Sequence, residues 1–350
     1  MPDTLTKLAY QTFQQGKSYF GLTHKTLSSQ VMRVVNPPKE AQVQELDLET
    51  LQLFQRRMSD LLECDWQDAE AGVYPKELLF DNPWSDFFQF YPLVCLDLPK
   101  IWDRANMKEQ QSFDQDIDTA GYPKYYLQNF HHQTNGYLSD LSANLYDLQV
   151  EILFNGTADP MRRRILAPLK TGLAGAGDKP KILDVACGTG RTLSMMRDTL
   201  PKASLYGVDL SPAYLRKANE TLAAKPGVLP QLIQANGESL PFVDNYFDAV
   251  VSVFLFHELP AVARQNVINE AHRVVKPGGT LVICDSIQML DSPEFEVAMK
   301  NFPAMFHEPY YRHYVTDDLN QRLAEAGFEH VSNQIHFMSK YWVARKPLAE

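Results

Sequence analysis

One eleven-residue stretch constrains this chain more than any other: Ile182-Leu-Asp-Val-Ala-Cys-Gly-Thr-Gly-Arg-Thr192. It reads as a buried strand running into a glycine turn and then a helix. Gly188 and Gly190 let the backbone approach a ligand closely, with the helix N-terminus just beyond. Twenty-one residues after Gly188, Asp209 stands at the end of the apolar run Leu205-Tyr-Gly-Val-Asp-Leu210. A carboxylate there can accept both ribose hydroxyls of an adenosyl ligand. A dinucleotide needs a third glycine, but Gly188-Thr-Gly190 is followed by Arg191, Thr192 and Leu193. Asp184, just ahead of the turn, suits a cation better than a diphosphate.

The surroundings of this stretch set the fold class. Strand-like runs at 181–186, 204–208, 231–235, 247–254 and 280–284 alternate with helical patterns, which argues for βαβ units and a parallel sheet. Ser211-Pro212 supplies a cap and first-turn residue for one intervening helix. A further capped helix starts near Thr316 and ends at Gly327, and two more strands are expected at 329–336 and 340–345. Residues 171–180, rich in glycine, read as a short flexible link. Upstream the pattern is helical. Leu51, Phe54, Met58, Leu61 and Leu62 follow an Asp47 cap, and Leu141, Leu145, Leu148 and Ile152 precede a stop at Gly156. The aromatic and Pro-rich stretch 74–102 suits short helices and turns.

Composition narrows the function classes. With 45% hydrophobic and 22% charged residues, a real core can form. The longest strongly apolar run, residues 249–256, is far short of the ~20 residues a bilayer crossing needs, and the N-terminus lacks an apolar signal core. Cys64, Cys95, Cys187 and Cys284 show no CxxC spacing, so neither a zinc site nor a disulfide framework is expected, and the cytoplasm is the default location. The net charge is −10, and residues 45–118 carry 17 acidic against 6 basic side chains. Such a surface repels phosphate backbones, so nucleic acid is not an expected partner. The basic cluster Arg162-Arg163-Arg164 reads as a solvated helix face with one or two interhelical ion pairs.

Over residues 135–346 the chain resembles the class I S-adenosylmethionine (SAM)-dependent methyltransferases. Asp184, Gly188 and Gly190 match the first motif, with Ala186 where the family has its initial glycine. Asp209 matches the ribose-binding acid, and Asn236-Gly-Glu-Ser-Leu-Pro-Phe242 the segment that closes over adenine, with Asn236 in place of the usual Asp. Arg273-Val-Val-Lys-Pro-Gly-Gly-Thr-Leu281 matches the turn into the fifth strand. Asn144-Leu-Tyr-Asp147, Lys276-Pro-Gly-Gly279 and Glu325-Ala-Gly-Phe-Glu329 are closest to the branch that contains the quinone-biosynthesis C-methyltransferases. The resemblance implies a Rossmann-like α/β fold, a doubly wound seven-stranded sheet, spanning 135–350 behind a mainly α-helical N-terminal substrate or cap domain at 1–134. It implies SAM as cofactor, held by Asp184, Ala186, Gly188, Gly190, Asp209, Leu210, Asn236, Gly237, Glu238, Phe254 and Tyr146.

A small-molecule methyl acceptor should lie beyond the carboxyl ends of the strands. The loop after the fourth strand places His257 and Glu258 there, and a histidine can take a proton from an O, N or activated C–H acceptor. Asp285, closing the fifth strand, could orient the acceptor. The segment 125–137 is expected to cross the cofactor pocket as a lid, with His132 and Tyr137 as its acceptor-facing residues; His307–Tyr314 is a second polar insertion. No HxH or HExxH spacing predicts a metal. The competing readings are a non-catalytic SAM-binding regulator and a methyltransferase of protein substrates. The oligomeric state is not readable from the sequence.

Overall fold

A computed structural model describes residues 3–35, 43–82, 84–107 and 110–348. At its centre lies one sheet of β1 (Lys181–Val185), β2 (Ser204–Asp209), β3 (Gln231–Gln234), β4 (Phe247–Val253), β5 (Val275–Ser286), β6 (Glu329–His336) and β7 (Ser339–Arg345). The order is β3-β2-β1-β4-β5-β7-β6, parallel except for β7, which runs antiparallel to both neighbours. The winding reverses between β1 and β4, the switch point where such sheets open a ligand crevice. β5 starts earlier than its apolar run. Phe247 pairs with Val275 but Ala249 pairs with Thr280, so Lys276-Pro-Gly-Gly279 bulges out of the ladder instead of preceding it.

Twelve α-helices surround the sheet among the described residues. α1 (Thr4–Val35), α2 (Leu48–Glu70) and α3 (Trp84–Met107) come first, then α4 (Asp140–Leu153), α5 (Ala158–Arg163) and α6 (Leu166–Gly172) lead into β1. α7 (Arg191–Thr199), α8 (Pro212–Ala223) and α9 (Ala261–Val274) cross between strands, and α10 (Glu296–Met305), α11 (Tyr311–Tyr314) and α12 (Leu319–Glu325) follow β5. Asp47 caps α2 by accepting from Thr50 N (2.7 Å), and Ser211 caps α8 by accepting from Tyr214 N (3.1 Å). Asp318, two residues after the expected start, caps α12.

Two sequence expectations fail for tertiary reasons. The 74–102 stretch does not break into short helices alone; α3 runs for 24 residues through Pro92 and Pro99. Its rings pack across α1, with Phe20 5.2 Å from Phe87 and 5.1 Å from Tyr91, while Phe90 and Val94 meet Leu145 of α4. That packing outweighs the helix cost of the prolines. The Arg162–Arg164 cluster is not a solvated face. Arg163 is 1% exposed and holds the buried Asp65 with two bonds, Nε to Oδ1 at 2.8 Å and Nη2 to Oδ2 at 2.6 Å. Tyr10 and Tyr74 donate to the same carboxylate at 2.5 and 2.6 Å. Tyr10, Trp66 and Leu78 also share an apolar cluster with Ile182 and Val282 of the sheet and Leu193 of α7.

Candidate active site

Beyond the carboxyl ends of β1, β2 and β4 lies a cleft whose floor is the glycine turn. Ala186, Gly188, Asp209, Leu210, Asn236, Gly237 and Phe254 all line it. Ala186 takes the left-handed conformation, φ +62°, that a glycine there would adopt without strain. The two glycines of the turn differ in use. A Cβ on Gly188 would find no atom nearer than 3.9 Å, so its backbone opens onto the cleft. A Cβ on Gly190 would meet Ala218 at 3.1 Å and Leu222 at 3.3 Å, so Gly190 serves the packing of α7 on α8. Thr189 donates to Asp147 of α4 at 2.7 Å, which fixes α4 over the turn and carries Tyr146 into the cleft.

The electrostatics of this floor fit an adenosyl ligand with a positive centre. Asp209 accepts from Gly188 N at 2.9 Å and from Ser211 N at 2.8 Å. Burial pushes its pKa up to about 6 against these backbone bonds. Asp184 lies behind the turn, 1% exposed, and its Oδ2 has no hydrogen-bond partner among the described residues. Burial and the neighbouring Asp209 hold its pKa well above the carboxylate range. A bound cation would favour ionisation of both. Asn236 Oδ1 accepts from Glu238 N at 2.9 Å, leaving a second lone pair for an amino group. Glu238 is set back from the cleft, accepting from Tyr125 OH at 2.6 Å and Asn266 Nδ2 at 2.8 Å.

Aromatic rings roof the cleft. Tyr125, Tyr126, Phe130 and Tyr137 come from the segment before α4, and Tyr146 and Tyr214 from α4 and α8. Phe130 stacks on Tyr137 at 5.3 Å, and Tyr137 and Tyr146 each meet Tyr214 edge-on at 5.4 Å. Ser211 ties this roof to the floor by donating to the Tyr137 carbonyl at 2.5 Å. Sequence motifs do not flag Tyr214, because its helix carries no signature beyond its cap; only the fold sets it among the other rings.

A polar group closes one end. Tyr137 donates to Glu258 Oε1 at 2.5 Å, and His257 Nδ1 lies 2.7 Å from Asp285 Oδ1, with Nε2 3.9 Å from Glu258 Oε1. Burial alone would lower the His257 pKa, but Asp285, Glu308 and Glu258 push it up to about 10. The neighbouring carboxylates thus favour the protonated form of His257, in which Nδ1–H donates to Asp285. Burial and then Glu308 push Glu258 up to about 7.

Of the two neighbouring histidines, His131 and not His132 reaches this group. Both take left-handed backbone, φ +53° and +58°. That turn aims His131 Nε2 at Glu308 Oε1, 2.9 Å away, and sends His132 inward beside His307, where burial drives its pKa down to about 4. Glu308, inside the 307–314 insertion, is a site residue that no spacing flagged.

Residues 182–279 match a methyltransferase-domain family profile. The ubiquinone/menaquinone biosynthesis C-methyltransferase of Desulfotalea psychrophila is 35% identical over 147 residues, 42% of this chain and 56% of that protein. The demethylmenaquinone methyltransferase of Thermus thermophilus is 33% identical over 143 residues, 41% of this chain and 61% of that one. A solved complex of human N-acetylserotonin methyltransferase with SAM aligns at a TM-score of 0.48 and 14% identity, over 71% of this chain and 67% of that one. The strand order, the glycine turn and the matched profile define a class I SAM-dependent methyltransferase domain. Within that class the chain resembles the ubiquinone/menaquinone C-methyltransferases, and it spans a little over half the length of those curated relatives. No helix among the described residues is long and apolar enough to cross a membrane.

Proposed function

We propose that this chain, working in the cytoplasm, methylates a small aromatic or amphipathic acceptor at the expense of SAM, with a quinone-related ring as the first candidate. One observation carries the reading: the glycine-turn floor, the aromatic roof and the hydrogen-bonded pair Tyr137–Glu258 line a single cleft, with the His257–Asp285 pair beside Glu258. The names of the matched relatives support the choice of acceptor. Residues 1–134 act in this reading as the cap of the domain at 135–350.

When bound, SAM supplies a methyl group activated on a sulfonium. Asp209 would accept the ribose hydroxyls, Asn236 the adenine amino group, and Gly188 would lie against the ligand backbone-first. The aromatic roof excludes water and offers flat apolar faces to a ring. Tyr137 orients Glu258 toward the acceptor by donating to it, and His257, fixed by Asp285, lies beside that carboxylate. The contribution of such groups is to hold nucleophile and methyl about 3–3.5 Å apart.

Two measurements test the proposal together. Calorimetric titration with SAM should give one site per chain. Transfer of tritiated methyl to a panel of hydroxylated aromatics and prenylated quinols should give a labelled product. SAM binding without label on any acceptor would turn the reading into a non-catalytic SAM binder, and absence of SAM binding would end it.

A further inference from the structure

His131, Glu258 and Glu308 come from the roof segment, the loop after β4 and the insertion after α10. Each offers one ligand atom, and the three atoms lie within 4.8 Å of one another. The Glu308 side chain is fully buried. Its Oε1 lies 2.9 Å from His131 Nε2, yet neither carboxylate oxygen accepts a hydrogen bond from the described residues. No lysine or arginine pairs with Glu258 or Glu308 among them; their ion-pair neighbours are His131 and His257. A buried carboxylate with free lone pairs is costly unless a cation compensates it.

We propose that these three side chains form a divalent-cation site at the acceptor end of the cleft. One imidazole and two carboxylates make a borderline-hard N,O,O set that suits Mn²⁺, Fe²⁺ or Zn²⁺ and leaves positions for further oxygen ligands. Because Glu258 also lines the cleft, those positions face the space where an acceptor would lie. The cation then binds one or two acceptor oxygens and favours the ionised form of a hydroxyl, whose proton leaves to solvent. This last role rests on the methyl-transfer reading; the cation site itself does not. The sequence concealed the site because its ligands are scattered over 178 positions, from His131 to Glu308.

The test uses the full chain, freed of metal by dialysis against a chelator and titrated calorimetrically with MnCl₂ or ZnCl₂ alone. One site per chain is expected. Glu308→Gln and His131→Gln should each weaken it at least tenfold, while SAM affinity, titrated in parallel, stays within threefold. No binding by the wild-type chain, or equal binding by both variants, overturns the proposal. If the variants fail to fold, electron spin echo spectra of the Mn²⁺-loaded wild type decide: coupling to one histidine nitrogen supports the site, and its absence overturns it. Loss of SAM binding with metal binding intact would strike the methyl-transfer reading and leave the cation site standing.

Discussion

Asp209 concentrates the chemistry of the cofactor floor in one side chain. Asp209→Ala should weaken SAM binding by about 1.5–3 kcal/mol, the scale of charge-assisted hydrogen bonds, as read by calorimetry. Its pKa, raised to about 6 by burial, also sets a pH dependence. The ionised form offers more acceptor lone pairs, so SAM affinity should fall as pH drops from 7.5 to 5, and Asp209→Asn should lack that fall. Stability runs the other way. The unfolded carboxyl ionises near the ordinary 3.8, so between about 4 and 6 the folded state binds more protons and loses stability as pH rises. Asp209→Asn should lack that loss, as read by melting temperature without ligand between about pH 4 and 7. At His257 the matched pair of Ala and Asn separates positioning from packing. Asn keeps a donor for Asp285 but has no group at the Nε2 position. Both variants should lower kcat on the order of tenfold or more with the KM for SAM held, and only Ala should also lower the melting temperature. Equal kcat in wild type and His257→Asn would remove His257 from the reaction.

At the scale of elements, the joint between α2 and α5 is the most sensitive. Asp65 accepts two bonds from Arg163 and one each from Tyr10 and Tyr74, all buried. Asp65→Ala would leave a guanidinium without its counter-charge in the interior. Removing one partner of a buried pair costs about 3–5 kcal/mol, so urea unfolding should show a drop of that size. A change below about 1 kcal/mol would mean that water reaches Arg163. By contrast, the exposed Arg216–Asp140 pair (2.6 Å) should respond little to the same treatment, because solvent screens it.

The whole molecule reads as one packing unit around the sheet. Tyr10 of α1, Trp66 of α2 and Leu78 share a core with Ile182, Leu193 and Val282, and α3 packs along α4. All the cofactor residues expected from sequence lie after residue 140, so a chain lacking residues 1–120 is the obvious minimal SAM-binding fragment. The structure predicts its failure. The deletion would remove Tyr10, Trp66 and Leu78 from the core they share with Leu166 and Leu169, and Asp65 from the buried Arg163. The fragment should be insoluble or lack a cooperative melt; a soluble fragment with wild-type SAM affinity would contradict this.

What could be read from the sequence was whatever depends on neighbours along the chain. The strand–Gly188–Thr–Gly190–helix turn, Asp209 at the end of β2, and the Asp47 and Ser211 caps are local geometry, encoded by steric and capping rules acting over a few residues. The alternation of strands and helices carried the βαβ units and the parallel sheet for the same reason. Tertiary structure decided whatever depends on burial and on distant partners. It turned Arg163 from a surface charge into the centre of a core network and carried α3 through two prolines. It set Asp285 2.7 Å from His257 Nδ1, a neighbour that favours the protonated imidazole. It chose His131 over His132 through a left-handed turn, and it brought Glu308 to face both His131 and Glu258. Charge in a protein is set by the dielectric and the neighbours a side chain meets in space, and spacing along the chain carries almost none of that information.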